Sequence, residues 1–303
     1  MVRRLALVLT LFALCLGGTG AFLHRQQASV AVPEILVFPN ANSRPTYFSI
    51  HNVREAWEIS RGAGVKVGIL DHSFGFRTHP GLYAGGQAFQ TDDWAENFDT
   101  VSHHGHWMAS TLREVAPEVQ IYALGTYSSD ESVRVDAMVR AIDWAVANHL
   151  DVLTYSAERF SPAVRPRLDS AVSRALAAGI VTTFIHYPHP GNLLPTGLRP
   201  RSGDDERVPD LNILHYDYQV VFTRRYGDWM RRGRDSEYVP FLSISSTSPV
   251  TAAFVAMLKS VRPDLEPADV KRILMETSRP MTFEGNRAAR VVDIAAALRS
   301  VRR

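Results

Sequence analysis

The sequence predicts an α/β fold with a mainly parallel central sheet, and three observations lead there. Short, nearly continuous apolar runs alternate with longer amphipathic stretches. Those runs are rich in Val and Ile, with few polar positions to face water, as expected for strands covered on both faces by helices. A glycine closes the best-defined helical stretch. Strands that alternate with helical patterns in this way are the signature of crossover units, hence of a parallel sheet.

In chain order, Val65, Val67, Ile69 and Leu70 form the first strand. Val119, Ile121, Ala123 and Leu124 form the second, and Val152 and Leu153 belong to a third. Residues 180–185, dense in β-branched side chains, form a fourth. Between these runs Val135, Met138, Val139, Ile142 and Val146 recur on one helical face. Leu168, Ala171, Val172, Ala175 and Leu176 repeat that stripe, and Gly179 follows as the residue that ends the helix in the left-handed conformation. The simplest organisation is one domain over residues 46–303, preceded by a linker or short pro-segment at 22–45 broken by Pro33, Pro39 and Pro45.

Composition narrows the function. With 46% hydrophobic residues in 303, the chain is not disordered. Its 33 Lys+Arg against 31 Asp+Glu leave a formal net charge of +2, too little for a general nucleic-acid binder, and no nucleic-acid partner is expected. The single cysteine, Cys15, excludes a disulfide framework and a cysteine-based zinc site. Arg3 and Arg4, the apolar run at 5–16 and the small residues Gly17, Gly18, Thr19, Gly20 and Ala21 describe a secretory signal over residues 1–21. Export is expected, secreted or periplasmic, with an uncleaved membrane anchor as the alternative.

Three segments carry the chemistry. Asp71 ends the first strand, where open α/β sheets place their ligands, and His79-Pro80 follows. A second segment, His103-His104-Gly105-His106-Trp107-Met108-Ala109, runs into Val115-Ala116-Pro117. Its histidines do not keep the i, i+4 spacing of a helical zinc site, so no metal and no cofactor are expected. The third, Ser243-Ile244-Ser245-Ser246-Thr247-Ser248-Pro249, opens an apolar stretch and reads alone as a helix N-cap.

Together the segments resemble the subtilisin-like serine peptidases (subtilases). In that family an Asp-Thr-Gly strand end is followed by His-Pro, then His-Gly-Thr-His-Val-Ala-Gly, then Gly-Thr-Ser-Met-Ala-x-Pro. Asp71, His104 and Ser245 match in type and in order, and Pro249 keeps its distance from Ser245. The resemblance implies a subtilisin-like three-layer fold and a peptide or protein substrate. It also implies an Asp71–His104–Ser245 triad: Ser245 attacks, His104 takes its proton, and Asp71 orients the imidazole. Ser243 and Ser246 are competing nucleophiles. The family's substrate-pairing Ser-Leu-Gly appears as Ser156-Ala157-Glu158.

Departures accompany the match. Ser243-Ile244 replaces Gly-Thr, and His106-Trp107 replaces Thr-His. The family's oxyanion asparagine falls on Pro188 when counted without gaps from Gly179, whereas Gly191-Asn192 restores its dipeptide through an insertion. Asn192 is the expected oxyanion donor, with His186 and His189 as alternatives. The stretch after Asn192 is arginine-rich and does not follow the family, and reads as a surface excursion. The expected activity is that of an exported serine endopeptidase. The alternative is an impaired pseudo-peptidase that binds peptides. An α/β-hydrolase esterase is disfavoured, because the chain has no Gly-x-Ser-x-Gly and its triad order differs.

Overall fold

Asp71 comes to the middle of a five-stranded parallel sheet because its strand pairs on both sides. The computed structural model describes residues 48, 51–91, 98–99, 104–156, 160–185, 187–194, 244–283 and 287–302, all within one compact unit, Pro33–Arg303. The elements are α1 (Val53–Ala56), β1 (Lys66–Asp71), β2 (Gly85–Ala88), α2 (His104–Val115), β3 (Gln120–Gly125), α3 (Glu131–Ala147), β4 (Val152–Tyr155), α4 (Arg165–Ala177) and β5 (Val181–Phe184). A 3-10 turn (Ile244–Ser246) leads into α5 (Thr247–Val261), followed by α6 (Pro267–Glu276), β6 (Arg279–Phe283), β7 (Arg287–Val291) and α7 (Ile294–Val301). Strand order is β2-β3-β1-β4-β5.

Two cores flank the sheet and make three layers. Val67, Ile69, Ile121, Ala123, Val152 and Val181 face α2 and α5. Leu70, Leu124, Leu153 and Phe184 face α3 and α4. All four apolar runs read from the sequence are strands, and both periodic stripes are helices. Strand β2 and the antiparallel pair β6–β7 had no signal in that reading.

Local chemistry sets the helix ends. Asp130 caps α3, its carboxylate accepting from Ser132 N at 2.8 Å and Val133 N at 3.0 Å. Gly179, at φ +77°, ends α4 with the paired bonds Gly179 N to Leu176 O and Ile180 N to Ala175 O, a Schellman arrangement. Helix α5 is buried from Thr247 through Lys259, so it is apolar all round rather than striped. Its one cation in this stretch, Lys259, donates to Gly179 O and Leu265 O. Truncating Phe254, which is fully buried at the centre of α5, costs about 3–5 kcal/mol.

Among the described residues no helix is long and apolar enough to cross a membrane. The expected signal at 1–21, the linker at 22–45 and the arginine-rich excursion lie outside the described residues.

Candidate active site

The carboxyl ends of β1 and β4 are neighbours, because Leu70 pairs with Tyr155. Asp71 and Ser156 therefore leave the sheet side by side. The Asp71 carboxylate is 5% exposed and accepts two hydrogen bonds, from His72 N to Oδ1 at 2.8 Å and from His104 Nδ1 to Oδ2 at 2.7 Å. A carboxylate only accepts, so His104 carries its proton on Nδ1 and keeps a lone pair on Nε2.

Gly105 allows this approach. Its N–H donates to His72 O at 2.9 Å, and a Cβ there would run into that carbonyl and the Phe74 ring. The first turn of α2 is thus pressed against the end of β1, and the His72 and His104 rings stack 5.9 Å apart at 14°. Burial draws the His104 pKa down, but the Asp71 charge and the hydrogen bond to it outweigh burial and hold it above the ordinary 6.5.

Ser245 sits in the 3-10 turn before α5, and α2 packs against both that turn and α5. Its Oγ donates to Ser156 O at 3.2 Å, and Ser248 Oγ donates to Tyr155 O at 2.9 Å. Two serines therefore pin the start of α5 to the end of β4, beside Asp71. The N-cap reading of this turn is only formal: Ser246 occupies the cap position but makes no side-chain cap bond. An imidazole with a lone pair, a carboxylate behind it and a serine at a helix amino terminus can together carry out acyl transfer. Ser156 is buried, whereas Ala157, Glu158, His103, His186 and Ser243 lie outside the described residues.

Asn192, the expected oxyanion donor, has its side chain engaged within its own turn. Its side chain is 1% exposed and its Nδ2 donates to Phe184 O at 2.7 Å, Leu194 O at 2.8 Å and Tyr187 O at 3.0 Å. Its Oδ1 accepts from Phe184 N at 2.9 Å and Thr182 Oγ1 at 3.2 Å. An amide has two hydrogens, and three carbonyls already compete for them, so none remains for a substrate oxygen. Asn192 is the staple of its own turn. His189 is turned elsewhere too: it meets Ser173 on α4 at 3.1 Å and stacks on Tyr187.

Two further histidines belong to the same end of the molecule. His79 and His106 meet edge to face at 4.2 Å, and burial lowers the His79 pKa. His72 had no role in the sequence reading. The signal was available, since His72 stands where the family's Asp-Thr-Gly has its threonine.

No family model matches the chain. Subtilisin DY of Bacillus licheniformis is 35% identical over 132 residues, 40% of this chain and 46% of its own length. Subtilisin E of Bacillus subtilis (strain 168) is 28% identical over 252 residues, 74% of this chain and 62% of its own length. The chain thus spans less than two thirds of these curated relatives. Among solved structures, MycP1 with its N-terminal propeptide removed superposes at TM-score 0.58 with 18% identity, covering 84% of this chain and 96% of that one. A cold-adapted subtilisin-like serine proteinase gives TM-score 0.56 with 18% identity over 77% of this chain and 89% of its own. These two show the fold. In sequence the chain is therefore similar to the subtilisins over part of their length, and its fold is that of the subtilisin-like serine proteinases.

Proposed function

We propose that the chain is an exported serine endopeptidase that hydrolyses peptide bonds through an acyl-enzyme formed on Ser245. The observation that carries this reading is the 2.7 Å bond between His104 Nδ1 and the buried Asp71 carboxylate, at the same sheet end as a serine-bearing helix start. His104 Nε2 takes the Ser245 proton as Oγ attacks the scissile carbonyl, and Asp71 stabilises the imidazolium. His104 then passes the proton to the leaving amine. Water, activated by the same imidazole, releases the acyl group. Before attack, the Ser245 hydroxyl must turn from Ser156 O toward His104.

The amino end of α5 and the Ser245 N–H favour the negative charge that develops on the substrate oxygen. An extended substrate pairs with the backbone at Ser156, Ala157 and Glu158, a case of β-strand addition. The reading further assigns residues 1–21 to export, with a membrane tether if they are retained, 22–45 to a linker and 46–303 to the peptidase domain. It requires no cofactor and no nucleic acid.

One observation favours a second reading, a peptide-binding protein that has lost turnover: the Asn192 amide is occupied. A fluorophosphonate probe separates the two. Labelling that disappears in Ser245→Ala supports the peptidase. Absence of labelling on the folded wild-type chain supports the binding protein.

A further inference from the structure

We propose that Asp71, His72 and His104 form a site for a divalent transition cation of the Zn²⁺ class, and that its occupancy switches the enzyme off. The proposal rests on the reading of His104 as the general base.

These three residues each offer one ligand atom, and the three atoms lie within 4.8 Å of one another. Two imidazoles and a carboxylate are a donor set that zinc takes readily, with water in the fourth position. His72 is presented as a ligand is. Its Nδ1 is held by Ser73 Oγ at 2.9 Å, and its Nε2 lies 3.9 Å from Asp71 Oδ1. A hydrogen bond on one ring nitrogen that aims the other is how metal-ligating histidines are oriented. Tyr127 packs against the same ring at 4.7 Å, and the two histidines are 18% and 20% exposed, which leaves an approach from solvent.

Bonds of about 2.0–2.1 Å at tetrahedral angles separate ligand atoms by about 3.3 Å. The 2.7 Å contact between His104 Nδ1 and Asp71 Oδ2 has to open by about half an ångström, and ligand atoms now as much as 4.8 Å apart have to close by up to about 1.5 Å, within reach of side-chain rotation.

The consequence for catalysis follows from the tautomer. A cation on His104 Nδ1 takes the lone pair that the proton occupied, and the proton passes to Nε2. With N–H facing Ser245, the imidazole has no lone pair to accept the serine proton, and Asp71 is bound to the cation instead of orienting the ring. No bond in the substrate is involved, and removal of the cation restores the resting tautomer. His72 has no part in proton transfer, so it is the position that separates inhibition from activity.

The test uses the full-length chain in two backgrounds. Co²⁺ titrated into Ser245→Ala is expected to give the visible absorption of a tetrahedral site, saturating at one equivalent. His72→Thr and His72→Gln in that background should each weaken binding by about tenfold or more. In the chain with Ser245 intact, Zn²⁺ should slow peptide hydrolysis, and the same two substitutions should raise by a similar factor the Zn²⁺ needed to halve each variant's own zinc-free rate. Inhibition at unchanged Zn²⁺ concentration in both variants overturns the proposal. So does Co²⁺ absorption that is absent from Ser245→Ala or undiminished by the His72 substitutions. Should the wild-type chain cleave no peptide at all, that failure belongs to the proposed function, and the Co²⁺ titration alone decides the metal site.

Discussion

Two corners at the carboxyl end of the sheet carry residues that resemble the same family's motifs, and the polar groups there are committed differently. At the end of β1, Asp71 receives one backbone donor and one imidazole, and neutral His104 retains a lone pair on Nε2. At the turn after β5, Asn192 engages two backbone or hydroxyl donors and three carbonyls, and retains nothing. Both residues are nearly fully buried, so burial does not separate them. What separates them is whether a polar atom is left uncommitted after folding. A motif residue acts on substrate only if its own backbone has not already claimed it.

The largest effect that tests this contrast is at the nucleophile. Ser245→Ala should lower kcat by about 10⁶-fold, whereas Ser246→Ala, beside it on the turn, should retain most activity. Comparable rates for Ser245→Ala and wild type on a peptide substrate would break the assignment.

Next comes the Asp71–His104 pair. Asp71→Asn should cost about 10⁴ in kcat by presenting the wrong tautomer. The double variant with His104→Ala should be little worse than His104→Ala alone, because the pair acts as a unit. Since His104 works as a base only when neutral and its pKa lies above 6.5, kcat/KM should fall on the acid side with a midpoint above that value. Multiplicative losses in the double variant would show that the pair is not one device.

The Asn192 turn should respond in the opposite currency, stability rather than rate. Asn192→Ala strands the Phe184 N–H and several carbonyls in the interior, a loss of about 2–4 kcal/mol. Denaturant unfolding should show this loss, while kcat per folded molecule stays within a few-fold of wild type. A fall in kcat of about 10²–10³ without loss of stability would restore Asn192 as the oxyanion donor.

The smallest effect contrasts His104 with His51. Burial pushes the His51 pKa down to about 4, although its ring bonds Val292 O at 2.8 Å; Arg279 lowers it further and Asp293 opposes. The unfolded chain protonates this histidine near 6.5 and the folded chain near 4, so the unfolded state binds more protons between those values. The stability associated with neutral His51 is therefore fully present above pH 6.5 and lost as pH falls toward 4, amounting to about 2 kcal/mol by pH 5. Unfolding measured from pH 7 to 5 should show this slope, and His51→Gln should flatten it.

By itself the sequence determined the four strands named from their apolar runs and the two striped helices, and it singled out Asp71 and His104, whose side chains the fold joins by a hydrogen bond. Hydrophobic periodicity is local, and so is a glycine such as Gly179 that ends a helix through its own backbone bonds. Gly105 in the His-Gly motif carried the close approach of α2 to β1 in one residue. Only the tertiary structure decided the rest. Strand β2 and the β6–β7 pair lack a periodic pattern and exist because a neighbouring strand supplies their hydrogen bonds. Asn192 keeps a family dipeptide, yet its amide is engaged by Phe184, Tyr187 and Leu194, which reach it only once β5 and its turn have closed. His72 became a candidate ligand because folding brought α2 against the end of β1 and stacked its ring on that of His104, a residue 32 positions away in the chain. Periodicity is written along the chain; the commitment of a polar atom is written in what surrounds it.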